Sequence, residues 1–486
     1  MNKNPQQHPV AAALQRRDFL RRATALSGSL GVVGLGGLAA LAPMRTAHAA
    51  DYKALVCVFL YGGNDGSNTI VPTDATRHGQ YSSVRGAMAV PRGSLLSLAG
   101  SDFGLHPSLA ALAPSWAEGK LAPLFNVGPL YAPLSKADYR AAGSGSVMVP
   151  ENLFSHSDQQ LLWESATTDA QARTGWGGRA AQRLSTTNPV ISLGGNGRFG
   201  LSSSAVPLVL PDPGDTFGAS TLDAAALTWA PMRARRDAID SLYSQSADVA
   251  LATAYQTQQR DAFAISERLG ALVKRAPGEA GTSAAIDAAF APLTSGGRIN
   301  TPLGRQLYQT AKLIDARATV QGDRQIFFAQ QGGFDTHGNQ IAGNALDGEH
   351  ARLLKSLGDA IACFHNAMKG IGLADSVTLF TQSDFGRTFK PNNSSGTDHA
   401  WGNHHLVLGG AVRGGKTYGT YPTLVLGGPD DVGVESWEQQ GRWIPTTSVD
   451  QYAATMLAWF GADAAALDAV LPNLRNFGSA RNLGFV

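Results

Sequence analysis

Two kinds of apolar pattern alternate along the chain. Short, largely apolar runs occur at Lys53–Tyr61, Lys120–Val127, Arg324–Gln330 and Ser376–Ser383, and a further run begins at Leu406. Each is too short for a typical helix and lacks strict alternation, which predicts strands buried on both faces of a sheet. Elsewhere apolar residues recur every three or four positions. Leu353, Leu354, Leu357, Ile361, Phe364 and Met368 predict a helix over about 346–370, ended by Gly370 and Gly372. Similar patterns predict helices over Leu105–Gly119, about 303–318, and from Pro445 through Trp459. Helical spacing also runs from about Thr221 to Pro277, followed by a Gly/Ala/Ser-rich patch to Gly297 that reads as a linker. Strands alternating with helices predict an α/β domain: a mostly parallel central sheet sandwiched by helices, with a helical insertion over about 221–320.

Polar chemistry gathers where the predicted strands end. Asp65 follows Gly62-Gly63, Asp335 and His337 follow Gly332-Gly333, and Asp384 follows the fourth run with Arg387 close behind. Ligands of open α/β sheets collect at the carboxyl ends of the strands. One acid in such a place is commonly an Asx turn. Three of them, two with histidines near, favour a metal site. Asp335 and His337 can reach one ion from the same turn, and carboxylate plus imidazole suits zinc or another borderline divalent ion. Gly396–His405 adds His399, His404 and His405. Ser155-His156-Ser157 precedes a helical pattern, so either serine is a cap or a nucleophile at a helix start. His78, His106, His350 and His365 are expected at the surface or in support of the site. Cys57 and Cys363 are expected as buried, unpaired thiols.

The N-terminus alters the charge balance. Arg16-Arg17-Asp18-Phe19-Leu20, a glycine-broken apolar run and Ala47-His48-Ala49 match a cleaved twin-arginine export signal over residues 1–49. The export machinery is the expected partner, and the mature chain, 50–486, is expected in the periplasm or secreted. No stretch has the ~20 apolar residues of a permanent membrane span. Six basic residues against one acid give the signal a charge of +5, so the rest of a +2 chain carries −3. That balance gives no reason to expect nucleic acid as a partner.

The segments Leu60–Gly66, Phe154–Asp158, Gly333–Gly338, Ser383–Thr388, Gly396–His405 and Ile444–Tyr452 resemble the exported family called domain of unknown function 1501. More distantly, the order of parts resembles the alkaline phosphatase and sulfatase superfamily. That resemblance implies an alkaline-phosphatase-like core and hydrolysis of a small anionic ester, phosphate or sulfate. It implies a divalent metal (zinc first, then magnesium, manganese or calcium) held by Asp65, Asp335, His337 and Asp384, with His399 or His404 in addition. Ser155 or Ser157 is then the nucleophile, His156 its proton-transfer partner and Arg387 the anion clamp. Phe385 stands where the superfamily usually has histidine, and no Cys-x-Pro-x-Arg is present. A catalytically inactive exported binding or assembly protein on the same fold is the alternative.

Overall fold

The first apolar run, β1 (Lys53–Leu60), divides its side chains between two cores. Ala54, Val56, Val58 and Leu60 face one, and Leu55, Cys57 and Phe59 the other. A strand covered on both sides has no use for a polar face, which is why its sequence does not alternate. The computed structural model describes residues 52–486 apart from 143, 144, 146, 219–221, 223, 224 and 246–248. The export signal predicted over 1–49 lies outside the described residues.

The other strands of the central sheet are β2 (Leu121–Gly128), β3 (Ile191–Ser192), β4 (Leu208–Val209), β5 (Arg324–Gln331), β6 (Val377–Ser383), β7 (Asn403–Gly409) and β8 (Thr447–Ser448). Their order is β8-β2-β7-β6-β1-β5-β3-β4. All pairs are parallel except those of β7, which runs against both β6 and β2. The sheet is therefore large, mixed and mostly parallel, and helices flank it. On one face lie α3 (Pro302–Asp315) and α4 (Glu349–Gly370), with Leu307, Leu354, Leu357, Ile361 and Phe364 in the core. On the other lie α2 (His156–Ser165), through Trp163, and α5 (Val449–Phe460), whose start is fixed by a Ser448/Gln451 capping box. Burying each large apolar side chain contributes roughly 1.5–3 kcal/mol. Ahead of α2, α1 (Ala75–Arg85) leads a buried arginine back toward the sheet.

Several local expectations are corrected. The helix predicted over Leu105–Gly119 is a 3-10 segment, Pro107–Leu112, and a short helix, Ala113–Ala117. Phe103–Leu105 instead joins a small antiparallel sheet. The patch read as a linker contains the helix Ala284–Phe290, anchored by buried Ile286 and Phe290. The stretch with helical spacing from about Thr221 to Pro277 contains the helices Ala230–Ser244 and Ala250–Val273, and of the second only Leu269, Gly270 and Val273 are buried. Leu242, Leu251 and Tyr255 are exposed, so helical periodicity here marks a face outside the cores. His106, His350 and His365 are interior residues. Cys57 and Cys363 are buried and unpaired. No helix among the described residues is long and apolar enough to cross a membrane.

Candidate metal centre

The three central strands end together. Leu60 of β1 is level with Gln331 of β5 on one side and with Ser383 of β6 on the other. The loops that follow therefore leave from one edge. Gly62, at φ +111°, lets two of them touch: a Cβ there would lie 2.3 Å from the backbone nitrogen of Asp335. Gly63, at φ +82°, likewise leaves room for the Phe385 ring.

At this edge His156, Asp335, His337 and His399 each offer one donor atom, all within 4.8 Å of one another. His156 Nε2 and His337 Nε2 each lie 3.2 Å from Asp335 Oδ1, and His399 Nε2 lies 3.5 Å from it. His337 Nε2 and His399 Nε2 are 2.8 Å apart. Zinc–nitrogen bonds of 2.0–2.1 Å imply tetrahedral edges of about 3.3 Å, close to these separations.

Each imidazole is anchored through its other nitrogen. His156 Nδ1 donates to Asp384 Oδ2 at 2.7 Å, His337 Nδ1 to Asp398 Oδ1 at 2.9 Å, and His399 Nδ1 to the Phe154 carbonyl at 2.6 Å. Acceptors at all three Nδ1 atoms set the tautomer and leave every Nε2 as a lone pair facing inward. The Nε2 of His156 is buried and has no hydrogen-bond partner among the described residues. A divalent cation fits this set: the lone pairs converge, their rings are braced from behind, and the orphaned nitrogen requires a partner. Phe385 fills the space behind the cluster, its ring 4.8 Å from His156 and 4.6 Å from His399 between centroids.

Electrostatics follow from these contacts. The hydrogen bond that His156 donates to Asp384 is the largest influence on His156 and raises its pKa. Burial is the largest influence on His399 and lowers its pKa. Burial also works to raise Asp335, but the Arg387 hydrogen bond and charge outweigh it and hold the carboxyl below its usual range. The side chains of Asp335 and His337 remain 47% and 45% exposed, so the centre opens to solvent on one side.

The structure places the remaining predicted site residues elsewhere. Asp384 is fully buried and supplies no ligand atom. Its oxygens accept from the Gly62 amide, from His156 and from Gln160. Asp65 is turned inward, paired through both oxygens with Arg85 of α1 and bonded to Gln340 Nε2 at 2.6 Å. Burial pushes its pKa up, but Arg85 prevails and keeps it low. His404 is interior, accepting the Asn126 amide at Nδ1, and burial pushes its pKa down to about 3. Arg387 has no free donor edge for an anion. Its nitrogens bond to the carbonyls of Gly62, Gly63, Phe334 and Thr397 and to Asp335. His156 has Nδ1 committed to Asp384 and Nε2 facing the cluster, so neither nitrogen meets the Ser155 hydroxyl. The Ser155 hydroxyl donates instead to Asp158 Oδ2 at 2.6 Å and lies 3.2 Å from Ser157 Oγ.

Over residues 52–467 the chain matches the family described as protein of unknown function (DUF1501). The chain belongs to that family. No curated protein matches it. Crystal structures of Ps i-CgsB, free and in complex with k-i-k-neocarrahexaose, are similar at 10% identity, covering 88% of this chain and 77% of theirs, with TM-scores of 0.33 and 0.34. That level of likeness carries no inference about fold or activity.

In this DUF1501 protein one glutamine ties the two ligand loops together. Gln340 Oε1 accepts from Thr336, between Asp335 and His337, at 3.0 Å and from Thr397, next to Asp398, at 2.6 Å. Its amide nitrogen reaches Asp65, which Arg85 holds. Gln160 and Gln340 escape a reading by motif, because an amide brace has no fixed spacing from the ligand it supports.

Proposed function

We propose that the chain is an exported, metal-dependent hydrolase of phosphate or sulfate esters. The observation that carries this reading is the convergence of three anchored imidazoles and one carboxylate on a solvent-open point. His156, Asp335, His337 and His399 would hold the ion. Three nitrogens and one oxygen suit zinc before magnesium, manganese or calcium, which prefer oxygen donors. When bound, such an ion supplies Lewis acidity toward an ester oxygen and toward the attacking group.

The chain's own residues supply the rest of the proposed mechanism. Asp384, Asp398 and the Phe154 carbonyl keep three lone pairs aligned before substrate arrives. Arg387 offsets the charge of Asp335, so an anionic ester meets a less negative centre. Ser155, at the start of α2, is the proposed nucleophile, with Ser157 beside it as the alternative. The Ser155 proton is directed to Asp158, which replaces His156 as its acceptor. The resemblance of the order of parts to the alkaline phosphatase and sulfatase superfamily supports the ester class and an alkaline-phosphatase-like core. Arg16-Arg17 and the sequence to Ala49 support a periplasmic or secreted location and passage through the twin-arginine machinery.

One observation favours a second reading. Four protein donors complete a tetrahedron, the pattern of closed structural sites, whereas catalytic zinc commonly keeps one position open. A metal-holding binding or assembly protein without turnover has that pattern too. The test is elemental analysis of the mature protein beside Asp335→Ala, with turnover of 4-nitrophenyl phosphate and sulfate. One equivalent of metal in the wild type, none in the variant, and metal-dependent release support the hydrolase. Metal without release across an ester panel selects the second reading. A folded wild type without metal from metal-replete medium sinks both.

A further inference from the structure

A cavity of about 630 Å³ adjoins the metal centre, and two of its lining residues also touch a ligand. Phe154 accepts the His399 Nδ1 proton through its carbonyl, and Arg442 Nε donates to the His399 carbonyl at 2.9 Å. The Arg442 guanidinium lies 4.9 Å from the centre of the Phe154 ring. The cavity and the metal centre thus share a wall.

The composition of that wall is specific. Trp437 is 72% exposed, although a side chain of that size is usually covered. Tyr139 lines the same cavity. Arg140 has no ion-pair or hydrogen-bond partner among the described residues, and neither do the Nη groups of Arg442. Glu438, the carboxylate in the lining, accepts the amides of Val434 and Glu435 at Oε2. Flat aromatic faces stack on ring-shaped ligands, and unpaired guanidinium forks bind sulfate, phosphate or carboxylate oxygens. The volume falls within the usual range for small-molecule sites, about 300–1,000 Å³.

We propose that this cavity, lined by Tyr139, Arg140, Phe154, Trp437 and Arg442, binds the organic half of the substrate as a ring that carries a second anionic group. The inference rests on the metal-dependent reading of the neighbouring centre. The ring lies against Trp437, the second anion meets Arg140 and Arg442, and the scissile ester extends past Phe154 toward His399. A sugar ring and an aryl ring share the required chemistry.

The test is calorimetric titration of mature, metal-analysed protein with inorganic phosphate, glucose 1-phosphate, glucose 1,6-bisphosphate, phenyl phosphate and 4-carboxyphenyl phosphate. The first probe lacks a ring, and the second and fourth lack a second anion. Each added element is expected to tighten binding by roughly tenfold, the effect of one charge-assisted contact. The stronger of the two doubly charged probes identifies the ring as sugar or aryl. Arg140→Gln should reduce the advantage of the second anion and leave the singly charged probes unchanged. Trp437→Ala should weaken the ring-bearing probes and leave inorganic phosphate unchanged. Neither residue touches the metal cluster. Equal affinity for all five probes, or variants that shift every probe alike, overturns the subsite. Metal content separates the two ideas: a ring-dependent gain in metal-free protein retains the cavity and sinks the centre, whereas metal without the gain does the reverse.

Discussion

At the scale of single residues, imidazole tautomers decide what the cluster can hold. Three Nδ1–H groups are spent on acceptors, so three Nε2 lone pairs are left close together. Without a cation such lone pairs repel, and a metal removes the conflict. Asp384 acts one step behind, through His156. Asp384→Asn keeps the volume and removes the charge that raises the His156 pKa. Metal affinity is expected to fall by about 10–100-fold while the fold is retained. Competition with a calibrated chelator, beside circular dichroism, reads both quantities. Unchanged affinity would remove Asp384 from the support of the centre.

At the scale of elements, the ligand loops depend on a brace that crosses the sheet edge. Arg85 of α1 holds Asp65 after β1, Asp65 holds Gln340, and Gln340 holds Thr336 and Thr397. The chain of bonds is buried, so each lost partner strands a polar group at roughly 1–3 kcal/mol. Gln340→Ala is expected to lower stability by about that amount and to weaken metal binding as well, although Gln340 donates nothing to the cluster. Denaturant melts and chelator competition on the same variant check the two effects. Stability lost with metal affinity intact would confine Gln340 to the fold.

At the scale of the whole molecule, buried neutral histidines set the response to acid. Burial is the largest influence on His350, His404 and His405 and lowers each pKa to about 3, against 6.5 for the unperturbed group. Between those values the unfolded chain binds protons that the folded chain refuses. The stability they contribute is therefore present above about pH 6.5 and is lost as pH falls toward 3. From pH 6.5 to 5.5 each costs about 1 kcal/mol. Denaturant midpoints at stepped pH are expected to be flat from 7 to 8 and to fall steeply below 6. A second whole-molecule expectation concerns export: replacing both Arg16 and Arg17 by lysine should leave the protein unprocessed in the cytoplasmic fraction. Continued appearance in the periplasm or medium would dismiss the twin-arginine reading.

The sequence by itself determined the layered architecture, because an unbroken apolar run such as Leu55–Leu60 is satisfied only between two covering layers. It also located the edge where chemistry collects, because glycine-rich turns and acids follow strands that prove level with one another. It did not distinguish ligands from braces. Asp65, Asp335 and Asp384 look alike in sequence, each a carboxylate just beyond a strand. Asp65 is claimed by an arginine 20 residues away, Asp384 by a histidine 228 residues away, and Asp335 alone faces the cluster. Only the tertiary structure decided this. The direction of a loop side chain is set by partners remote in sequence, and no local periodicity encodes them.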